Sequence, residues 1–267
     1  MSGFSSWEIL LLAILQGLTE FFPVSSSGHL VIVQNLLGIK QPQLLLDIAL
    51  HLGTLFAVVV FLRVEIVDLI KGIGKFVSSP KKKFRSIQMR LIYYLFLASI
   101  PTALIGYFLN DFFESLFGSL KSVSIALIIT GLFLFLTKYS QERANIKIIH
   151  PFLIGILQGI AIIPGLSRSG LTIGGAMFLG WEREKAAKFS FLLSIPAIIG
   201  AFLFELNQVE IHSQPWLLLT LGFIGALISG LLALKYLMKL IKRGFFSSFS
   251  FYCIFIGLIA FGLSFII

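Results

Sequence analysis

Charge is scarce in this sequence and sulfur nearly absent. Only 12% of the 267 residues are charged, against 57% hydrophobic, and the mean hydropathy is +0.99. A chain so poor in charge cannot clothe a water-soluble domain, so soluble classes are excluded and an integral membrane protein is indicated. The single cysteine, Cys253, excludes an internal disulfide and reads as an inert thiol in an apolar run. No basic stretch precedes the first apolar segment, which begins at Trp7. A cleavable signal peptide is therefore not expected, and that segment is expected to stay in the mature protein. Acids are the scarcer charge, 12 Asp and Glu against 21 Lys and Arg, which leaves a net charge of +9.

In a soluble protein that surplus would point to nucleic acid. Its placement points to membrane topology instead. Six apolar runs are long enough to span: 44–62, 91–110, 122–137, 186–204, 216–234 and 245–267. Between them, segments 63–90, 138–147, 181–188 and 235–243 hold 18 of the 21 Lys and Arg, including Lys81, Lys82 and Lys83. These four segments fall on one side, provided that two interrupted regions, 7–38 and 151–181, enter and leave the bilayer on the same face. The positive-inside rule then makes that side cytoplasmic and both termini extracytoplasmic. The expected partners of the surplus charge are anionic headgroups of membrane lipids, and no nucleic acid.

The two interrupted regions are copies of one another. The first reads ILQGLTEFFPVSSSGHL over 14–30, and the second reads ILQGIAIIPGLSRSG over 156–170. At an offset of 142, seven of fifteen positions are identical, including Gln16/Gln158, Ser25/Ser167, Ser27/Ser169 and Gly28/Gly170. Proline and glycine break each copy into arms shorter than the roughly 20 residues that cross a bilayer. Three spans separate the copies, and an odd number inverts one relative to the other. The expected fold is thus an all-α integral membrane protein of six transmembrane helices plus two re-entrant helix–loop–helix pairs, arranged as two inverted-topology repeats. One membrane domain covers 1–267, with repeat one over about 1–140 and repeat two over about 148–267.

The copies differ in their ionisable residues. Glu20 faces Ile162, Ser26 faces Arg168, and His29 faces Leu171. Ionisable groups at membrane depth cost on the order of 2.5–3.5 kcal/mol each, so they mark function more often than structure. Gln16 and Glu20 share a helix face four residues apart, and two oxygen ligands there suit a hard divalent cation, Mg²⁺ or Ca²⁺. Arg168 suits a bidentate grip on phosphate, or a structural ion pair with Glu20. His29 can act as a base or as a nucleophile toward phosphorus. The Ser-x-Ser-Gly sequences can cap the helices that follow them, presenting two helix N-termini to an anion. Candidate substrate-binding residues are accordingly Ser25, Ser27, Gly28, Ser167, Ser169 and Gly170. Candidate catalytic residues are Glu20, Ser26, His29 and Arg168, and candidate metal ligands are Gln16 and Glu20. Asp47 and His51, one turn apart near a span end, are weaker candidates. His150 and His212 read as interfacial.

Over essentially its whole length the chain resembles the undecaprenyl-diphosphate phosphatases of the bacitracin-resistance type. The resemblance is most specific at QGLTEFFPVSSSGH, residues 16–29, and PGLSRSG, residues 164–170. That family's first motif is Glu or Gln, three residues, then Glu, filled here by Gln16 and Glu20. The resemblance implies a bacterial inner-membrane hydrolase that converts a polyprenyl diphosphate lipid, undecaprenyl diphosphate, to the monophosphate carrier used in cell-wall synthesis. It also implies a divalent cation, an extracytoplasmic-facing site, and roles for Glu20, Ser26, His29 and Arg168. A rival reading is an inverted-repeat transporter or flippase for a lipid phosphate or small anion. The acid and imidazole present in only one copy favour hydrolysis. The oligomeric state is open, a homodimer included.

Overall fold

The computed structural model describes residues 5–38, 44–78, 86–143, 146–205 and 216–266. Among these residues every regular element is helical. The chain opens with α1 (Ser6–Phe21) and α2 (Ser26–Leu36), followed by α3 (Leu44–Phe61), α4 (Arg63–Ser78) and α5 (Ile87–Phe108). A short α6 (Asn110–Phe117) leads to α7 (Leu120–Leu136). The second half holds α8 (Ile149–Ile160), α9 (Arg168–Phe178), α10 (Arg183–Glu205), α11 (Trp216–Lys242) and α12 (Phe249–Leu263). By length and composition, six helical stretches can cross a membrane: Leu44–Phe61, Ile87–Phe108, Leu120–Tyr139, Arg183–Phe204, Trp216–Lys242 and Phe245–Leu263. They match the six runs read from the sequence to within four residues at every end but one: the fifth continues as helix to Lys242, eight residues past the expected end at 234, because the basic segment that follows keeps apolar residues at helical spacing. The protein is a multi-pass membrane protein.

Two other connections are more ordered than expected. Part of the basic loop 63–90 forms α4, because Ile66 and Leu69 give the segment a face that packs on the main core. The acidic connection 111–118 forms α6, with Phe113 buried. In both, charge density masked a helical spacing of apolar residues. Lys40, Lys81, Lys82, Lys83 and His212 lie outside the described residues.

The halves of the chain interleave. α1 packs along α11, and α8 packs along α5, so the first helix of each motif lies on a long helix of the other half. Gly17 and Gly155 set these approaches. A Cβ on Gly17 would sit 2.7 Å from the Ala226 carbonyl oxygen, and one on Gly155 would sit 2.0 Å from that of Ala98. Small residues at such crossings let backbones touch, where van der Waals packing drives helix association in lipid. The largest core runs from Phe21 to Cys253 and draws on both halves.

The four basic segments gather in one place. Lys188 pairs with Glu65 on α4 at 3.0 Å, and Lys242 pairs with Glu184 at 3.2 Å. The Arg143 amide donates to the Gly180 carbonyl at 2.8 Å, which draws in segment 138–147. The pairs are partly exposed, so each stabilises by about 1 kcal/mol or less. Their value here is positional.

Candidate active site

Each motif is a short helix, a broken tip and a second short helix. α1 and α8 have 16 and 12 residues, and α2 and α9 have 11 each. α1 ends at Phe22, whose ψ of 141° is the extended backbone that a following proline imposes. Ser25 then takes a left-handed φ of 69°, uncommon for a residue with a Cβ. Its hydroxyl accepts from the Gly28 amide at 3.1 Å and caps α2. In the second copy the Ser167 hydroxyl accepts from the Gly170 amide at 3.0 Å and caps α9. The capping serines also meet their partners two residues on: Ser25 and Ser27 oxygens lie 3.3 Å apart, and Ser167 and Ser169 oxygens 3.2 Å. The two Ser-x-Ser-Gly sequences thus make the same capping hydrogen bond twice, on different backbones, since Ser167 has an ordinary φ of −83°.

The two tips touch. The Ser169 hydroxyl donates to the Phe22 carbonyl at 3.1 Å. A Cβ on Gly28 would come within 3.0 Å of the Gly165 Cα, and one on Gly170 within 3.4 Å of the Pro23 Cβ. Gly165 itself has φ +96°, and a Cβ there would strike the Val123 carbonyl oxygen at 2.3 Å. Thr130 on α7 ties this tip down, donating to the Gly165 carbonyl at 3.1 Å and accepting from the Ser167 amide at 3.1 Å.

At this contact lies a buried charged centre organised on Glu20. One carboxylate oxygen, Oε2, accepts from Gln16 Nε2 at 2.9 Å and from the Ser26 hydroxyl at 2.7 Å. The other, Oε1, accepts from Arg168 Nη2, 148 residues away in sequence. The ion pair anticipated as one alternative therefore exists. It leaves two atoms over: Arg168 Nη1 and Gln16 Oε1 are both buried without a hydrogen-bond partner among the described residues. One is a charge-carrying donor and the other a neutral acceptor, each of the polarity needed to meet an incoming ion.

Gln16, Glu20, Ser26 and Arg168 converge on this centre, while Ser25, Ser27, Gly28, Ser167, Ser169 and Gly170 frame it from the tips. His29 belongs to a separate pair of contacts. Its Nδ1 meets the Ser25 carbonyl at 2.8 Å and its Nε2 meets the Tyr252 hydroxyl at 2.8 Å. His51 comes closer to Glu20 than its sequence context suggested, with Nε2 at 4.0 Å from Oε2 and Nδ1 on the Asp47 carbonyl at 2.8 Å. His150, expected at an interface, is buried and accepts from Trp181 Nε1 at 3.4 Å. Thr130 and Tyr252 were missed. A lone Thr or Tyr in a span carries no local signal, whereas the i, i+4 spacing of Asp47 and His51 did.

Fold and centre together define an all-helical multi-pass membrane protein with an ion-paired polar site where two helix tips meet. The sequence matches the family described as Bacitracin resistance protein BacA over residues 9–259, and the chain belongs to that family. It is 43% identical to a protein of Desulforapulum autotrophicum named undecaprenyl-diphosphatase, over 95% of this chain and 96% of that one. Proteins of the same name from Halothermothrix orenii and Carboxydothermus hydrogenoformans are 38% and 41% identical over 94% and 95% of this chain, with 95% of each relative covered.

Proposed function

We propose that this protein hydrolyses undecaprenyl diphosphate to undecaprenyl phosphate and inorganic phosphate within the membrane. The observation that carries the reading is the largely buried Glu20–Arg168 pair, joined across the two tips, with Arg168 Nη1 left without a partner among the described residues. A diphosphate brings two or more negative charges to an apolar setting. Helix N-termini offer about 0.3–1 kcal/mol each, which is too little alone, so a fixed guanidinium is needed. The relatives named undecaprenyl-diphosphatase favour hydrolysis over the transporter reading.

The residues fit a divalent cation, Mg²⁺ or Ca²⁺. Glu20 and Gln16 Oε1 would hold it, and the supporting observation is that Gln16 Oε1 is a buried oxygen without a partner among the described residues. Among the described residues there is no cluster of three or more His, Cys, Asp or Glu. A weakly held hard ion that keeps waters and substrate oxygens in its shell suits that donor set. When bound, such an ion neutralises phosphoryl charge as a Lewis acid. The chain's own groups do the rest. Arg168 grips equatorial oxygens, the caps of α2 and α9 offer backbone amides, and Glu20 orients the Ser26 hydroxyl it already accepts from. His29 supplies an imidazole that can take a proton at Nε2 once the Tyr252 hydroxyl meeting that atom turns from donor to acceptor.

The two motifs are read as re-entrant pairs of inverted repeats within one membrane domain. Support comes from helices too short to span, from matched caps at an offset of 142 in the two Ser-x-Ser-Gly sequences, and from basic segments gathered on one side. That side is assigned to the cytoplasm of a bacterial inner membrane, with both termini outside. Phosphate release from a polyprenyl diphosphate by purified protein, with and without EDTA, tests the function. Release abolished by EDTA and restored by Mg²⁺ or Ca²⁺ is expected. No release under any cation would refute the reading.

A further inference from the structure

His29 is the catalytic candidate whose ring is fully accounted for by its neighbours, and one of those neighbours lies 223 residues away. A backbone carbonyl only accepts, so the Nδ1 contact with the Ser25 carbonyl places the ring proton on Nδ1. In the neutral ring Nε2 is then the lone-pair nitrogen, and the Tyr252 hydroxyl donates to it at 2.8 Å. The two ring planes are parallel to within 4°, with centroids 5.6 Å apart, so the phenol and the imidazole are held face-aligned as well as hydrogen-bonded.

This geometry is not a by-product of how α12 is anchored. Phe249 packs on Phe22 at 5.5 Å between centroids, and the Cys253 thiol meets the Pro23 carbonyl at 3.4 Å. These contacts seat the first turn of α12 on tip one without the phenol. What Tyr252 adds is one directed hydrogen bond to a buried ring, which would otherwise carry an unsatisfied acceptor.

We propose that Tyr252 is a positioning residue for His29: its hydroxyl fixes the imidazole orientation and keeps Nε2 as the proton-accepting atom. The same hydroxyl can accept from Nε2–H once the ring is protonated, so one contact serves both protonation states. The proposal rests on the hydrolytic reading above for its kinetic consequence, but not for the hydrogen bond itself.

The test is Tyr252→Phe, which keeps the ring and its packing. Kinetics on a polyprenyl diphosphate should show kcat lower by about three- to tenfold, the rate equivalent of one neutral hydrogen bond, with KM unchanged. In protein carrying ¹⁵N-histidine, with the His29 signals assigned through His29→Gln, the unprotonated Nε2 resonance should move downfield as it loses its donor. A purely structural Tyr252 would lower Tm and leave kcat and this resonance where they were. An unmoved Nε2 resonance overturns the proposal, as does unchanged kcat or a change confined to KM. If the wild type releases no phosphate, the hydrolytic reading fails, and the resonance still decides whether Tyr252 holds His29.

Discussion

Glu20 holds Gln16, Ser26 and Arg168 at once, with His51 just beyond. Such a residue couples stability to function, and the two can be separated by substitution. Glu20→Gln leaves a mostly buried guanidinium without its counter-ion. Breaking a buried pair from one side typically costs about 3–5 kcal/mol, so this variant should lose both turnover and Tm. Arg168→Lys keeps the charge but loses the planar fork, and should retain Tm better than Arg168→Ala while still impairing phosphate release. Full turnover by Arg168→Lys in a steady-state assay would remove the bidentate grip from the account. At this scale the sequence was most legible where residues are costly. Glu20, His29 and Arg168 stood out as ionisable groups in apolar runs, and Gln16 and Ser26 stood out by spacing and repetition. Tyr252 and Thr130 did not, because a phenol or hydroxyl is cheap in a span and its partner lies far along the chain.

Each tip depends on a serine cap and a close glycine, and the first helix of each motif lies on a long helix from the other half. The caps were readable because Ser-x-Ser-Gly is a local pattern with a local consequence. The interleaving of α1 with α11 and of α8 with α5 was not, because nothing in the period of apolar residues names the partner. Gly155 tests the second of these crossings. A Cβ there would lie 2.0 Å from the Ala98 carbonyl oxygen, which is backbone and cannot turn aside. Gly155→Ala should therefore destabilise by about 1–3 kcal/mol, as overpacking does, and lower Tm by about 2–10 °C in a thermal melt. An unchanged melt would mean that α8 and α5 do not approach as described. The helices α4 and α6 were hidden for a different reason: their charges signalled a loop, while their apolar residues, spaced for a helix, bury only in part.

Across the whole molecule the basic segments converge, and the motif helices are too short to span. This predicts a definite pattern of accessibility in intact cells. Single cysteines at Trp7 and Leu36, both exposed ends of the first motif, should react with an impermeant reagent from outside. Cysteines at Lys147 and Glu182, flanking the second motif, should be protected until the membrane is opened. Opposite sidedness of the two ends of either motif would show that it crosses the bilayer, and the inverted arrangement would fall. The central claim is narrower: that Glu20 of one repeat and Arg168 of the other act on one substrate as a unit. A double-mutant cycle measures it most directly, with Glu20→Gln, Arg168→Gln and the double variant compared by kcat/KM on a polyprenyl diphosphate and by Tm. The account predicts that each single variant loses most of its activity and that the double is little worse than the poorer single, while its Tm recovers because no unpaired charge stays buried. Activity losses that simply add, or a double variant that is both stable and active, would contradict it.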